Sequence, residues 1–263
     1  MERALHILNG DQALKLWEKC SFPGEALVWR ETYLEGPLPD TEDLHIFRSA
    51  RAAFLATFKE TEGSGVDRLY SHLQRMDDTL LERSGKGDLM LWFDGCLFDQ
   101  TLLMRILYLL NSQKNKGNVF LYCSDNNCLT LEDFCQGERD SLCLTAEELR
   151  AAARGWLLYQ RRDGAGLKQL ACQQILDRLP RLQEALCRSS EEFPDGQGLT
   201  RTQRRILQLV GAGKSSFKEI FTGLDAFEKY PFLGDTACQR LLDHLTERRL
   251  LTCTAGRYTV PEK

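Results

Sequence analysis

Leu5-His6-Ile7-Leu8-Asn9-Gly10-Asp11 joins a short, almost wholly apolar run to a turn signal, and the way this join is read decides the fold. An apolar run of this length bounded by Asn-Gly-Asp reads as a strand buried on both faces. The residues that follow carry a helical pattern, with Leu14, Leu16 and Trp17 within 12–19. A second run, Glu25-Ala26-Leu27-Val28-Trp29, is closed by Glu35-Gly36-Pro37-Leu38-Pro39. Helical stretches are expected over 41–59 and 66–83, then a third strand over 88–93 behind Gly85 and Gly87. An almost wholly apolar helix around Phe98–Leu110 should be buried all round, and a fourth strand over 118–122 ends at Ser124-Asp125-Asn126-Asn127. Strands separated by helices need crossover connections, so the expectation is an α/β fold. Its sheet should be mostly parallel, with flanking helices in a Rossmann-like arrangement.

Beyond residue 144 the pattern turns helical. Thr145-x-x-Glu148 is a capping box for a helix through 161, and 167–179 and 180–188 read as two more, with Pro180 suited to a first turn. A polar stretch punctuated by Pro194, Gly196 and Gly198 reads as a linker over 189–198. Thr200-x-x-Gln203 and Ser216-x-x-Glu219 then open two helices, Asp235 is a candidate cap for a third, and a hairpin turns at Ala255-Gly256. Three helices followed by a hairpin is the order of a winged-helix unit. The expected organisation is an α/β sheet domain over 1–144, a helical segment packed on it over 145–193, and a winged-helix-like domain over 199–263.

Composition excludes several classes. With 263 residues, 43% hydrophobic, 27% charged and a formal net charge of −4, the chain is neither low-complexity nor basic overall. From Thr200 onward there are eleven Lys and Arg against seven Asp and Glu, leaving 23 basic and 31 acidic side chains before it, a mildly basic tail on an acidic body. The N-terminus shows no signal-peptide pattern, and the longest apolar stretch, 97–110, is broken by Asp99, Gln100 and Arg105 and is short of the ~20 residues of a membrane helix. A cytoplasmic protein with no membrane contact is expected. Of the ten cysteines, Cys123, Cys128, Cys135 and Cys143 are spaced C-x4-C-x6-C-x7-C. That is too loose for a structural zinc site, with no histidine beside it, so no metal is assigned and buried thiols are the simpler reading.

In an open parallel sheet, ligands bind beyond the carboxyl ends of the strands. Those ends bring Asn9, Gly10 and Asp11, then Arg30, Glu31 and Glu35, then Asp94 and Asp99, to one edge. Gly10 would let a ligand approach the backbone; Asp11 caps a helix or faces the ligand. Arg30 clamps a phosphate or carboxylate, or pairs with Asp11 or Asp94. Asp11 and Asp94 together would suit Mg²⁺ and an anionic substrate, or are ordinary acidic turns. The sequence has no G-x-G-x-x-G after the first strand, no P-loop and no G-x-S-x-G elbow. His6, His45 and His72 read as structural, and Cys96 as packed. No cofactor is identified.

Three segments together resemble a bacterial family known as domain of unknown function 1835: Leu5–Asp11, then Val28-Trp29-Arg30-Glu31 with Glu35-Gly36-Pro37, then Leu91-Trp92-Phe93-Asp94 with Asp99-Gln100. The resemblance spans about residues 4–125 and implies no established activity. In that family the third segment runs Trp-Phe-Glu-His-Asp, whereas here the acid is Asp94 and the next residues are Gly95 and Cys96. If the family's His and acid move protons or bind metal, this chain lacks both. The leading expectation is a site for a small anionic metabolite coupled to a protein-interaction module in 199–263. The alternatives are a Mg-dependent hydrolase or phosphoryl-transfer enzyme, and a winged-helix DNA-binding regulator. Nucleic acid is the less favoured partner, because the third tail helix should present one arginine against two acids: Gln239, Arg240, Asp243, His244 and Glu247.

Overall fold

The computed structural model describes residues 4–58, 61, 63–112, 117–126 and 128–261. The expected helix end at Lys59, Asn127 of the fourth strand-end turn and the outermost terminal residues lie outside that set. Four strands alternate with helices as anticipated. They are β1 (Leu5–Leu8), α1 (Asp11–Trp17), β2 (Glu25–Val28), α2 (Leu44–Leu55), α3 (Val66–Ser84), β3 (Leu89–Asp94), α4 (Leu97–Asn111) and β4 (Val119–Ser124). β1 lies between β2 and β3, with Leu5 opposite Glu25 on one side and Leu89 on the other, and β1 to β4 are all parallel. The sheet order is β2-β1-β3-β4-β5, where β5 (Leu142–Cys143) is a two-residue antiparallel edge. The chain winds outward from β1 to β2 and then crosses back to β3, so the β1/β3 gap is a topological switch point.

Strand alternation divides the core. Leu5, Ile7, Leu89, Leu91, Phe93 and Leu121 face the layer of α2, α3, α4 and α6 (Ala146–Gln160). Leu8, Met90 and Trp92 face Ala13 of α1 and Phe134 of α5 (Leu131–Asp140). Burial on both faces is why β1 and β3 read as apolar runs without a polar side. α4 is the central helix: all but three of its residues are buried, including Asp99, Gln100, Thr101 and Arg105.

α5 and β5 were not anticipated. α5 is opened by a capping box between Thr130 and Asp133. It approaches the sheet so closely that a Cβ on Gly137 would lie 2.3 Å from the Trp92 ring. The expected 167–179 helix is shorter, α7 (Gly164–Ala171), followed by a 3-10 turn at Gln174–Leu176. α8 (Pro180–Ser190) then begins at its proline. The capping boxes at Thr145, Thr200 and Ser216 all form.

The 189–198 stretch is an ordered connection. Glu192 accepts from the backbone and hydroxyl of Thr202, and Asp195 accepts from the backbone of Gln197 and Leu199. Three helices follow, α9 (Arg201–Gly211), α10 (Phe217–Asp225) and α11 (Asp235–Glu247), then a hairpin of β6 (Thr252–Thr254) and β7 (Arg257–Thr259). They share a core of their own around Ile206, Ile220, Leu242, Leu245 and Tyr258. Asp235 is the first helical residue of α11, not its cap; Gly234 precedes it, and the Asp235 carboxylate takes the Thr236 N–H. Among the described residues no helix is long and apolar enough to cross a membrane.

Candidate functional site at the strand ends

At the switch point the ends of β1 and β3 are stitched together by a buried acid. Asn9 leaves β1 and donates its amide to Asp99 Oδ2 at 2.6 Å, and the same oxygen accepts the Asp94 N–H at 2.7 Å. Asp94 turns its own carboxylate to the Cys96 N–H at 2.9 Å, and the Cys96 sulfur caps α4 by accepting the Asp99 N–H. Gln100 closes the far side, donating to the Asp94 carbonyl at 2.6 Å. Asp94 and Asp99 are only 3% and 2% exposed. Desolvation raises both carboxyls, and the proximity of the Asp94 charge raises Asp99 further. Burial, reinforced by both acids, likewise pushes the Cys96 thiol well up. The cluster is therefore a place where charge is avoided and protons are retained.

Asp94, Cys96 and Asp99 offer ligand atoms within 4.8 Å of one another, so a cation could be accommodated on geometry alone. The chemistry fits poorly. Mg²⁺ keeps several waters and prefers carboxylates that ionise readily, whereas these groups are buried and already accept backbone or amide N–H groups. Cys123, Cys128, Cys135 and Cys143 form no ligand cluster among the described residues, and all ten thiols are free.

The remaining expected residues go elsewhere. Asp11 does not cap α1, because Gly10 precedes the helix and no side chain caps it. Instead the Asp11 carboxylate is taken by Arg30 at 2.6 and 2.9 Å on an exposed surface, and that hydrogen bond holds it below the usual carboxylate range. Gly10 does leave its approach open: a Cβ there would meet nothing within 4 Å. Glu31 is not a ligand group but half of an ion pair with Arg51, both side chains 0% exposed. Arg51 also donates to the carbonyls of Thr32, Glu35 and Pro37, so one guanidinium shapes the whole 31–37 loop. Burial raises the Glu31 carboxyl against the opposing pull of Arg51. Glu35, at the end of that loop, receives both Nε and Nη2 of Arg240 from α11, at 2.8 and 2.7 Å.

The Arg240–Glu35 pair marks what covers the strand ends. α11 and the preceding 227–234 segment lie over them, and Arg240 also stacks on Phe58, 4.2 Å from its ring centre. Nearby, Lys229 pairs with Glu184, and Arg188 reaches Glu228. Gly95 is explained by the same covering. A Cβ there would fall 2.9 Å from Arg181 Cδ on α8 and 3.3 Å from the Tyr230 ring, so any side chain at this position requires Arg181 and Tyr230 to give way.

Between the 32–35 loop, Phe98 at the start of α4, and α11 remains a cleft of about 270 Å³. Its walls are chiefly apolar, from Leu34, Phe98, Phe232, Leu233 and Leu241. Its polar positions are two acids, Glu35 and Glu192, the guanidinium of Arg240, and the threonines Thr32, Thr200, Thr202 and Thr236. Arg51, Phe98 and Phe232 were not anticipated at the site, and Arg240 was expected on the outward face of the third tail helix, not against Glu35. No family model matches the chain, and neither a curated protein nor a solved structure matches it.

Proposed function

We propose that the chain binds a small anionic ligand in the cleft between the strand ends and the C-terminal helices, and that the C-terminal unit reports its occupancy. The observation that carries this is the cleft itself. It is apolar with a few convergent polar groups, is built from two parts of the chain, and is bridged by one ion pair, which are the usual attributes of a ligand site. A carboxylate or phosphate enters by exchanging with Glu35 for the guanidinium of Arg240, a bidentate geometry suited to either group. Arg30, tied to Asp11 on the surface, is the outer member of the same edge. The volume, about 270 Å³, falls just below the usual ~300–1,000 Å³ range and so suits a ligand smaller than a drug-sized molecule.

Residues 199–261 are read as a winged-helix-like unit, supported by three helices in order followed by a hairpin. Use of this unit for protein rather than DNA contact is supported by the state of α11. Arg240 is engaged by the body, and Gln239 bonds Asp243 and Tyr258. Kinship with the domain of unknown function 1835 family belongs to the same proposal, supported by its three segments meeting at one sheet edge. An enzymatic reading would centre on the Asp94–Asp99 pair, favoured by the raised carboxyls.

The test is a thermal-shift panel of short carboxylic acids, sugar phosphates and nucleotides on the full chain and on Arg240→Met. A ligand at ~100 times its Kd stabilises by about 2.7 kcal/mol. The expected result is a shift with at least one carboxylate or phosphate that is lost in Arg240→Met. A panel without shifts, or a shift that survives the substitution, refutes the site.

A further inference from the structure

The charges of the Glu35–Arg240 cleft do not balance once its ion pair is opened. The lining holds two acids, Glu35 and Glu192, against the single guanidinium of Arg240. With Arg240 on Glu35 through Nε and Nη2, one carboxylate is in excess. An anion that takes the guanidinium leaves both acids facing it. Like charges in a partly desolvated cleft repel, so a ligand that is only an anion is opposed as it binds. A phosphate, more highly charged than a carboxylate, is opposed more strongly.

Neither acid is free to withdraw. The Glu35 carbonyl takes Arg51 Nη1 at 2.7 Å, and Arg51 is itself fixed in the interior by Glu31. Glu192 is held by Arg188 Nη1 and by the N–H and hydroxyl of Thr202, at 2.6, 3.1 and 2.7 Å. All three reach Oε1; among the described residues none donates to Oε2. Nor does Arg188 cancel this acid alone, because Arg188 and Arg201 together answer Glu191, Glu192 and Glu228.

A ligand that brings its own cation removes the difficulty. An ammonium takes the place that Arg240 vacates at Glu35, and the net charge of the cleft is unchanged by binding. Because Arg240 and Glu35 are in contact, at 2.7 and 2.8 Å, the ligand's anion and cation must also be neighbours, as they are on the α-carbon of an amino acid. The apolar walls from Leu34, Phe98, Phe232 and Leu241 then face its side chain. We infer that the ligand of this cleft is an α-amino acid with an apolar side chain, its carboxylate on Arg240 and its ammonium on Glu35 beside Glu192. This rests on the cleft being the ligand site and narrows its anion to a carboxylate with an adjacent ammonium.

Calorimetric titration of the full chain with L-leucine and L-phenylalanine tests it. Each is compared with the same acid lacking the amine (isocaproate, hydrocinnamate) and the same amine lacking the acid (isopentylamine, phenethylamine). The expected result is that one amino acid binds at least about tenfold tighter than both its truncated analogues, the worth of one charge-assisted hydrogen bond. Glu35→Gln erases that advantage while binding of the truncated acid holds or tightens, since Glu35 no longer competes for Arg240. The wild-type comparison stands even if the variant fails to fold. A truncated acid that matches its amino acid overturns the inference and leaves the cleft a site for a simple anion. So does Arg240-dependent binding of another carboxylate or phosphate when neither amino acid binds. An amine that matches its amino acid, or an advantage that survives Glu35→Gln, also overturns it. No binding by any compound removes the cleft reading as well.

Discussion

His6 gives a pH dependence whose sign and size follow from its surroundings. It lies fully buried on β1, where Nδ1 accepts from the indole N–H of Trp92 at 3.1 Å and Nε2 faces the Pro23 carbonyl at 3.3 Å. That arrangement suits the neutral ring with its proton on Nε2. A second proton would have to sit on Nδ1, opposite an N–H donor. Desolvation, the largest cause, lowers the pKa from 6.5 to about 4. The native ring therefore stays neutral while the unfolded one charges, so stability is complete above the unfolded pKa and is lost as pH falls from 6.5 towards 4.

At 1.36 kcal/mol per unit, this one ring withdraws about 2 kcal/mol between pH 8 and pH 5. Urea denaturation of wild type and His6→Gln at both pH values isolates it, because other titrating groups are common to the two proteins. The stability gap between them should narrow by about 2 kcal/mol on going to pH 5. Parallel pH profiles would refute the reasoning.

Three other perturbations test the remaining parts of the account. Arg51→Met strands the Glu31 carboxyl in the interior and should cost about 3–5 kcal/mol in chemical denaturation, much of it recovered by adding Glu31→Gln. Asp99→Asn acts on a group of opposite sign to His6. The native carboxyl keeps its proton past the pH at which the unfolded one ionises, so wild-type stability falls as pH rises above about 4 through this group. In urea melts at pH 5 and pH 8, the variant should gain on wild type at the higher pH. Gly95→His, which installs the residue of the resembled family, forces Arg181 and Tyr230 aside. It should expose the 227–234 segment to limited proteolysis while leaving the far-UV spectrum of the sheet domain intact.

How much of this was legible depends on where each signal sits in the chain. β1 and β3 announce themselves because burial on both faces leaves contiguous apolar runs, β4 because its half-buried face still carries Phe120 and Tyr122, and their parallel arrangement follows from the helices between them. α5 escaped because Glu132, Asp133, Glu138, Arg139 and Asp140 mask its apolar side, while Gly137 argues against a helix and serves here to approach Trp92. Its Thr130-x-x-Asp133 cap was the signal available. β5 is too short to carry any periodicity.

At the site, chain order placed Asn9, Asp94 and Asp99 on one edge, and they do meet. What no local pattern states is the partner of a charge. Glu31 turns inward to an arginine 20 positions away, and Glu35 bonds one 205 positions away. The same applies to Gly95, whose lack of a side chain makes sense only once Arg181 and Tyr230 are seen above it.

The central claim is that the C-terminal unit closes a ligand cleft over the strand ends through Arg240 and Glu35. Hydrogen exchange of the full chain, measured with each carboxylate and phosphate of the panel, tests it most directly. The account predicts that at least one of them slows exchange in 31–37 and 232–241 together. Protection confined to one of those segments, or to neither with every compound, would contradict it.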